Sequence, residues 1–427
     1  VRRWVRMFGI KDDECGTSEE LPLGVLVEVL RHLSHRDLTR AAGTSKALAA
    51  AARHPDLWTS LSPSIPPGWI FERRPLVLGW ASTLARRASR LQHLDLSGLA
   101  THVGDEQLGT FLANASGLLT CNLSYTSITD HALEQLAAYC PSLVELRLEG
   151  CDYISQAGLR AAAGACPLQV LVLAHCRWLG SNTDEHALEF VRACATLTHL
   201  DVDGWEHLRD DACQALVGCS GLTRLCLDGA GLGDEAMRAC ARFLPRLQEL
   251  SVSFGESISE QGALCIRELC GLTSLRLRKC TRLPDAALAR MLQGLHLRRL
   301  DLTECHGLGG LSAEALAVSS GSSLVSVCLA WCWHLSDAHL HQLLVSCPLL
   351  EFLDCTGLED LTEKAFRSLQ GGIEEGGCGN EDQAGKHMQR LVLKGCSFVA
   401  DAAIRSMVAA RPQLTAIDYW GEEVTHS

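Results

Sequence analysis

The chain has 427 residues, 47% hydrophobic and 21% charged, with a formal net charge of −12. That balance is ordinary for a globular protein, and it disfavours generic nucleic-acid binding, which needs a basic face. No apolar run is long enough to span a bilayer, and a single compact core rarely grows to this length, so a repetitive architecture or several domains are expected.

Residues 1–18 read as an N-terminal tail. Arg2, Arg3, Arg6 and Trp4 occur there without an apolar signal core, and a start at Val1 suggests missing upstream residues. Residues 19–61 form a separate module. Leu26, Val29, Leu30 and Leu33 have helical spacing, a second helix is predicted from Asp37-Leu38, and a third from Ser45 to Ala52. His54-Pro55-Asp56-Leu57-Trp58 closes the module. Three helices this short barely bury their own apolar surface, so a partner or an attached domain is expected to cover the rest. Residues 62–90 read as a linker and cap: Ser62-Pro63-Ser64-Ile65-Pro66-Pro67-Gly68 is stiff and turn-rich, and Leu76 to Arg90 predicts a helix capping the first repeat.

From residue 91 to 427 one pattern recurs. Leu-x-x-Leu-x-Leu appears at Leu143, Leu222 and Leu272, and strand starts can be walked through Leu91, Leu118, Leu143, Leu168, Leu197, Leu222, Leu247, Leu272, Leu297, Leu324, Leu350, Met388 and Leu414. Between Leu197 and Leu297 the step is a constant 25 residues. A unit this short cannot bury its apolar face alone, so neighbours must stack. Each unit reads as a short strand with alternate residues inward, a turn, and a helix. The helix starts at a hydroxyl or Gly followed by Asp, as in Thr129-Asp130, Gly233-Asp234 and Ser336-Asp337, where the hydroxyl caps and the Asp favours the positive helix end. It stops at Cys-Pro or an equivalent, as in Cys140-Pro141 and Cys347-Pro348. Between Leu350 and Met388 the step widens, and the Gly- and acid-rich stretch at about 371–386 reads as a flexible insertion.

The 21 cysteines recur at fixed places in the repeat, notably Cys151, Cys176, Cys280, Cys305, Cys332 and Cys396, and no Cys-x-x-Cys occurs. They read as buried thiols acting as small apolar residues, which implies a reducing compartment, cytoplasm or nucleus.

The module resembles an F-box, through Leu21-Pro22, Val25, Leu26, Val29, Leu30, Leu33, Asp37-Leu38, Ser45 and Leu57-Trp58. It departs at Leu48, where the family usually has an aromatic residue, and at Thr44, where valine is usual; both departures are expected to weaken packing or adaptor affinity. The repeats resemble the cysteine-containing subclass of leucine-rich repeats. Together the resemblances imply an α/β horseshoe solenoid, parallel strands inside and helices outside, behind a three-helix F-box. With strands ~4.8 Å apart, thirteen of them would span an inner arc of about 60 Å.

The implied role is the substrate-recognition subunit of a Skp–cullin–F-box ubiquitin ligase. Such a subunit performs no catalysis, needs no cofactor, and leads its substrate toward proteasomal degradation. The F-box would dock the Skp adaptor, and through it cullin, using Leu21, Pro22, Val25, Leu26, Val29, Leu30, Leu33, Leu38, Leu57 and Trp58. The alternative is a ligase-independent repeat scaffold or inhibitor that binds a protein partner.

Strand alternation predicts the side chains that face a substrate. Arg276, Arg278 and Arg299 point outward, with Lys279 and Arg298 close by; Arg224 does so in the repeat at Leu222, and Asp201 and Asp203 do so earlier, joined by Asp228 one strand later. Trp331 and Trp333 flank Cys332 near the same edge. An acidic patch beside a basic one is expected, the arginine row suiting an acidic or phosphorylated segment. No phosphate loop or His-Glu-x-x-His is present. Cys328, Cys332, His334, His339 and His341 read as repeat positions rather than as a metal site.

Overall fold

The computed structural model describes residues 22–33, 35–62, 90–180, 187–227, 232–370 and 384–426. Leu21, Asp228, the expected capping helix before Arg90 and nearly all of the expected insertion lie outside the described residues. The chain divides into two compact units, Val1–Leu173 and Ala174–Ser427, a boundary inside the repeats and not at their start near residue 91.

The first unit begins with helices α1 (Leu23–Leu30), α2 (His35–Ala42) and α3 (Lys46–Ala51). Ser45 caps α3, its hydroxyl accepting the Leu48 N–H at 3.2 Å. Trp58 is completely buried, and its indole N–H donates to the Ala52 carbonyl at 2.8 Å, so the module's largest apolar group leaves no orphaned polar atom. The two departures have separate outcomes. Leu48 is buried beside Ala51 and Ala52, so a leucine fills this core. Thr44 is exposed, and its hydroxyl donates to the Ala41 carbonyl at 2.7 Å, so it takes no part in core packing.

The last residues of the module pair with the first repeat. Ser60–Leu61 forms strand β1, which pairs in parallel with β2 (His93–Asp95), and the Thr59 carbonyl accepts the Gln92 and His93 N–H groups at 2.8 and 3.0 Å. Strands β3 (Thr120–Asn122), β4 (Glu145–Arg147) and β5 (Val170–Val172) continue the parallel ladder. Between them lie α4 (Asp105–Leu112), α5 (Asp130–Tyr139) and α6 (Gln156–Ala165).

In the second unit β6 (His199–Asp201), β7 (Arg224–Cys226), β8 (Glu249–Ser253), β9 (Ser274–Arg278), β10 (Arg299–Asp301), β11 (Ser326–Cys328), β12 (Phe352–Asp354), β13 (Arg390–Val392) and β14 (Thr415–Ile417) pair in parallel, each with the next. The short β15 (Glu423–Val424) turns back antiparallel on β14. Every strand start expected from the leucine spacing carries a strand; β1 and β15 are additional. Leu200, Leu225, Leu250, Leu275, Leu300, Val327, Leu353 and Leu391 share one register line and are buried to within 2%, so the core is a single apolar file repeated strand by strand.

Two polar files run beside it. The Asp at each helix start reaches the next repeat and does more than favour its own helix end. Asp234 accepts the Ser259 N–H and hydroxyl at 2.8 and 2.6 Å, and Asp337 accepts the Thr362 N–H and hydroxyl at 2.8 and 2.6 Å. Asp285 holds the Gly309, Leu311 and Ser312 N–H groups at 3.1, 2.9 and 2.9 Å, together with the Ser312 hydroxyl. The second file is thiol. Cys305, Cys332 and Cys396 donate to the carbonyls of Leu277, Leu302 and Cys355, each at 3.1 Å. The cysteines therefore bond between repeats as well as filling space. Among the described residues no cysteine is in a disulfide.

Arg411, after the last helix (Asp401–Ala410), ties together two stretches that are separate in sequence. Its guanidinium donates to the carbonyls of Ser368 (2.7 Å) and Leu369 on one side, and of Ala384 (3.0 Å) and Gly385 (3.2 Å) on the other. Burial lowers its pKa from the ordinary guanidinium value.

Candidate functional site

Of the predicted outward residues of the second unit, Asp201, Arg224, Arg276 and Arg299 fall on two register lines. One runs His199, Arg224, Glu249, Ser274, Arg299, Ser326; the other runs Asp201, Cys226, Ser251, Arg276, Asp301, Cys328. Arg224, Arg276, Arg278 and Arg299 are exposed, as strand alternation requires. They are not an open anion site. Glu249 lies 2.8 Å from Arg224 and 3.0 Å from Arg299, while Asp301 lies 2.7 Å from Arg278 and 3.5 Å from Arg276. Within the expected basic patch, carboxylates therefore stand among the arginines. Four guanidinium groups face two carboxylates, so the cluster stays positive. Exposed pairs of this kind contribute ~0–1 kcal/mol each, so they orient the arginines more than they stabilise the sheet. An incoming phosphate or carboxylate would have to exchange with Glu249 or Asp301.

Asp201 serves the backbone, since its carboxylate accepts the Asp203 N–H at 3.0 Å and so shapes the turn after β6. Asp301 and Asp354 do the same for Thr303 and Thr356, accepting N–H and hydroxyl at distances from 2.6 to 3.1 Å. Asp203 sits 3.9 Å from His175. Glu249 was not singled out from the sequence, although its place one 25-residue step after Arg224 marks it as a register partner.

A third file lies at the turn edge, one residue before the position at which cysteine recurs in several repeats. Tyr125 and Gly150 occupy it in the first unit; His175, Gly204, Phe254, Lys279, Glu304, Trp331, Gly357 and Gly395 occupy it in the second. All have positive φ, between 57° and 78°. For a residue with a side chain this conformation costs about 1–2 kcal/mol. The backbone compensates with bonds from one turn to the next: Lys279 N–H to Thr303, Glu304 to Ala330 and Trp331 to Thr356, at 3.0, 2.8 and 2.8 Å.

Residue size along this file follows packing. A Cβ added to Gly357 would lie 2.4 Å from the Trp331 ring, one on Gly150 would lie 2.6 Å from Tyr125, and one on Gly204 would lie 2.4 Å from His175. Large rings are therefore laid over glycines of the following repeat. Elsewhere the file is charged: the Lys279 ammonium stands 4.6 Å from the Phe254 ring centre and 3.8 Å from Glu304.

Trp331, predicted as outward, is 40% exposed, and Trp333 is 52% exposed. Trp333 stacks on His306 with ring centres 4.3 Å apart and planes 8° from parallel. The His306 Nδ1 donates to the Trp331 carbonyl at 3.1 Å, which ties the two tryptophans to one imidazole.

The adaptor-facing set divides by burial. Leu26, Val29, Leu30, Leu38, Leu57 and Trp58 are buried and form the module's own core, and Val25 and Leu33 are half-buried. Pro22 is exposed, as is Leu23 at 50%. Sequence reasoning did not single out Leu23, because helical periodicity marks inward positions only.

Among the described residues no cluster of three or more His, Cys, Asp and Glu side chains has metal-binding geometry, and no helix is long and apolar enough to cross a membrane. Of the histidine–cysteine group, Cys332 donates to Leu302 while His339 accepts the Ser336 N–H and His341 accepts from Arg367. Burial pushes the Cys140, Cys240 and Cys347 thiols up to about 12, leaving them protonated and poorly nucleophilic at neutral pH.

Comparison with known proteins fits this geometry. The F-box-like family model matches residues 18–64, and a leucine-rich-repeat model matches residues 295–317. A mouse lysine-specific demethylase 2B is 23% identical over 192 residues, 44% of this chain and 14% of the relative. A transport inhibitor response 1-like protein of Oryza sativa subsp. japonica is 26% identical over 250 residues, 49% of this chain and 42% of the relative. The chain thus spans less than half the length of either relative. Among solved structures, a chain of the yeast Rad7–Elc1 complex superposes with a TM-score of 0.58 at 16% identity, covering 82% of this chain and 88% of that one, which is a likeness of fold. The chain thus carries an F-box-like module at residues 18–64 and, in its parallel strands, a leucine-rich repeat matched at residues 295–317.

Proposed function

We propose that the chain is a substrate-recognition subunit of a Skp–cullin–F-box ubiquitin ligase. The observation that carries this reading is the F-box-like module at residues 18–64 joined by β1 to the first repeat strand. One end would dock the Skp adaptor, and through it cullin. The repeats would hold the protein to be ubiquitylated before its proteasomal degradation. The chain's own contribution would be proximity, which raises the effective concentration of target lysines near the conjugating enzyme. Free buried thiols suit a reducing compartment, so we place its work in cytoplasm or nucleus.

The docking surface on this reading is the exposed start of α1, Pro22 and Leu23, and the buried residues hold that surface in shape. The test is binding of the purified Skp adaptor to the intact chain and to Pro22→Ala/Leu23→Asp, with circular dichroism as a folding control. At least a tenfold loss, about the scale of an interface hot spot, is expected with unchanged ellipticity. An intact chain that ignores the adaptor would overturn the reading in favour of a ligase-independent scaffold.

A further inference from the structure

Trp331, Trp333, Leu335, Leu358, Glu359 and Asp360 line a pocket of about 250 Å³ at the turn edge of the second unit. Leu335 and Leu358 are buried, and the two tryptophans are large exposed apolar surfaces beside them. Both rings are fixed from behind, Trp331 by its close fit on Gly357 and Trp333 by its stack on His306. A ligand that replaces water on these rings therefore has little side-chain entropy to overcome.

Glu359 and Asp360 are exposed and, among the described residues, neither has an ion-pair partner, whereas Glu249, Asp301 and Glu304 are each held by a cation. Flat, immobile aromatic faces beside two uncompensated carboxylates complement one kind of group: a planar cation on an aliphatic stem. Guanidinium meets both demands, stacking on an indole face while donating to a carboxylate. We propose that this pocket receives an arginine side chain from an unfolded basic segment of the captured protein. The proposal rests on the reading that the repeats bind a protein, but not on adaptor docking. It also runs opposite in charge to the arginine row on the strand face.

The experiment is an array of synthetic unstructured peptides in which each position is varied, probed with the full chain, with Trp333→Ala and with Glu359→Gln/Asp360→Gln. Both variants change exposed side chains, and their melting temperatures serve as the folding control. The expected result is enrichment of arginine over glutamine at one position, by roughly tenfold for a partly desolvated cation–aromatic contact, lost in both variants. Enrichment of aliphatic or aromatic residues that is insensitive to Glu359→Gln/Asp360→Gln would overturn it by making the pocket apolar in preference. Enrichment of acidic or phosphorylated residues would overturn it by moving recognition to Arg224, Arg276, Arg278 and Arg299. No enrichment with adaptor binding intact would remove the pocket and leave the receptor reading standing, while the reverse pattern would remove that reading and leave the pocket.

Discussion

The helical module and the repeats solve one problem in opposite ways. In the module each buried group occurs once: one Trp58 fills the centre, and one indole hydrogen bond holds it. In the repeats each role recurs on every strand, an apolar file, an Asp file and a thiol file, and each member touches only its neighbours. The lesson concerns cooperativity. A structure of unique contacts fails as a whole, whereas stacked units lose stability locally and in increments.

The largest effect should come from breaking the unique part. Trp58→Ala is expected to destabilise the module by about 3–5 kcal/mol, the usual cost of removing a buried aromatic residue, and to abolish adaptor binding with it. Leu300→Ala removes a comparably buried group and should cost about 2–5 kcal/mol. Its damage should stay near home. Amide hydrogen exchange should rise in β9, β10 and β11 and remain unchanged in β13 and β14. Equal acceleration along the whole ladder would erase the distinction drawn between the two regions.

A smaller effect tests the Asp file. Burial acts to raise the Asp285 pKa, but hydrogen bonds from Ser312, Leu311 and Gly309 outweigh it, and the carboxyl sits below its ordinary value of 3.8. The ionised form is thus the one the fold favours. Its stabilisation is present above the unfolded value and is lost as pH falls below 3.8 through the lower folded value. Asp285→Asn should cost about 1 kcal/mol at neutral pH and should remove this acid dependence from denaturant unfolding curves. Smallest of all is the thiol file. Cys305→Val keeps an apolar group of similar size but loses the bond to Leu277, so a cost of about 1 kcal/mol or less is expected in the same assay.

Legibility in the sequence followed the same divide. A period of 25 residues puts a strand wherever the leucines recur, because stacking forces equivalent residues into one register. For the same reason alternation alone exposed Arg276, Arg278 and Arg299 correctly. What spacing does not carry is the identity of the neighbour. Glu249 shares a line with Arg224 on the adjacent strand and with Arg299 two strands away, and Asp301 shares one with Arg276 on the adjacent strand, which becomes visible only when repeats are laid beside one another. The left-handed file was hidden for another reason. A tryptophan with positive φ is readable only together with the glycine it lies on, one repeat later. In the module, periodicity found the core and left Leu23 unremarked, since a pattern of buried positions is silent about which exposed one matters.

Arg411 has a consequence for how this chain tolerates change. By gripping the carbonyls of Ser368 and Leu369 on one side and of Ala384 and Gly385 on the other, it fixes the distance between two stretches that are separate in sequence. Substitutions that leave this planar fork in place keep the clasp, whereas Arg411→Lys, with a single ammonium in place of the guanidinium, would leave part of the set of four carbonyls without a donor.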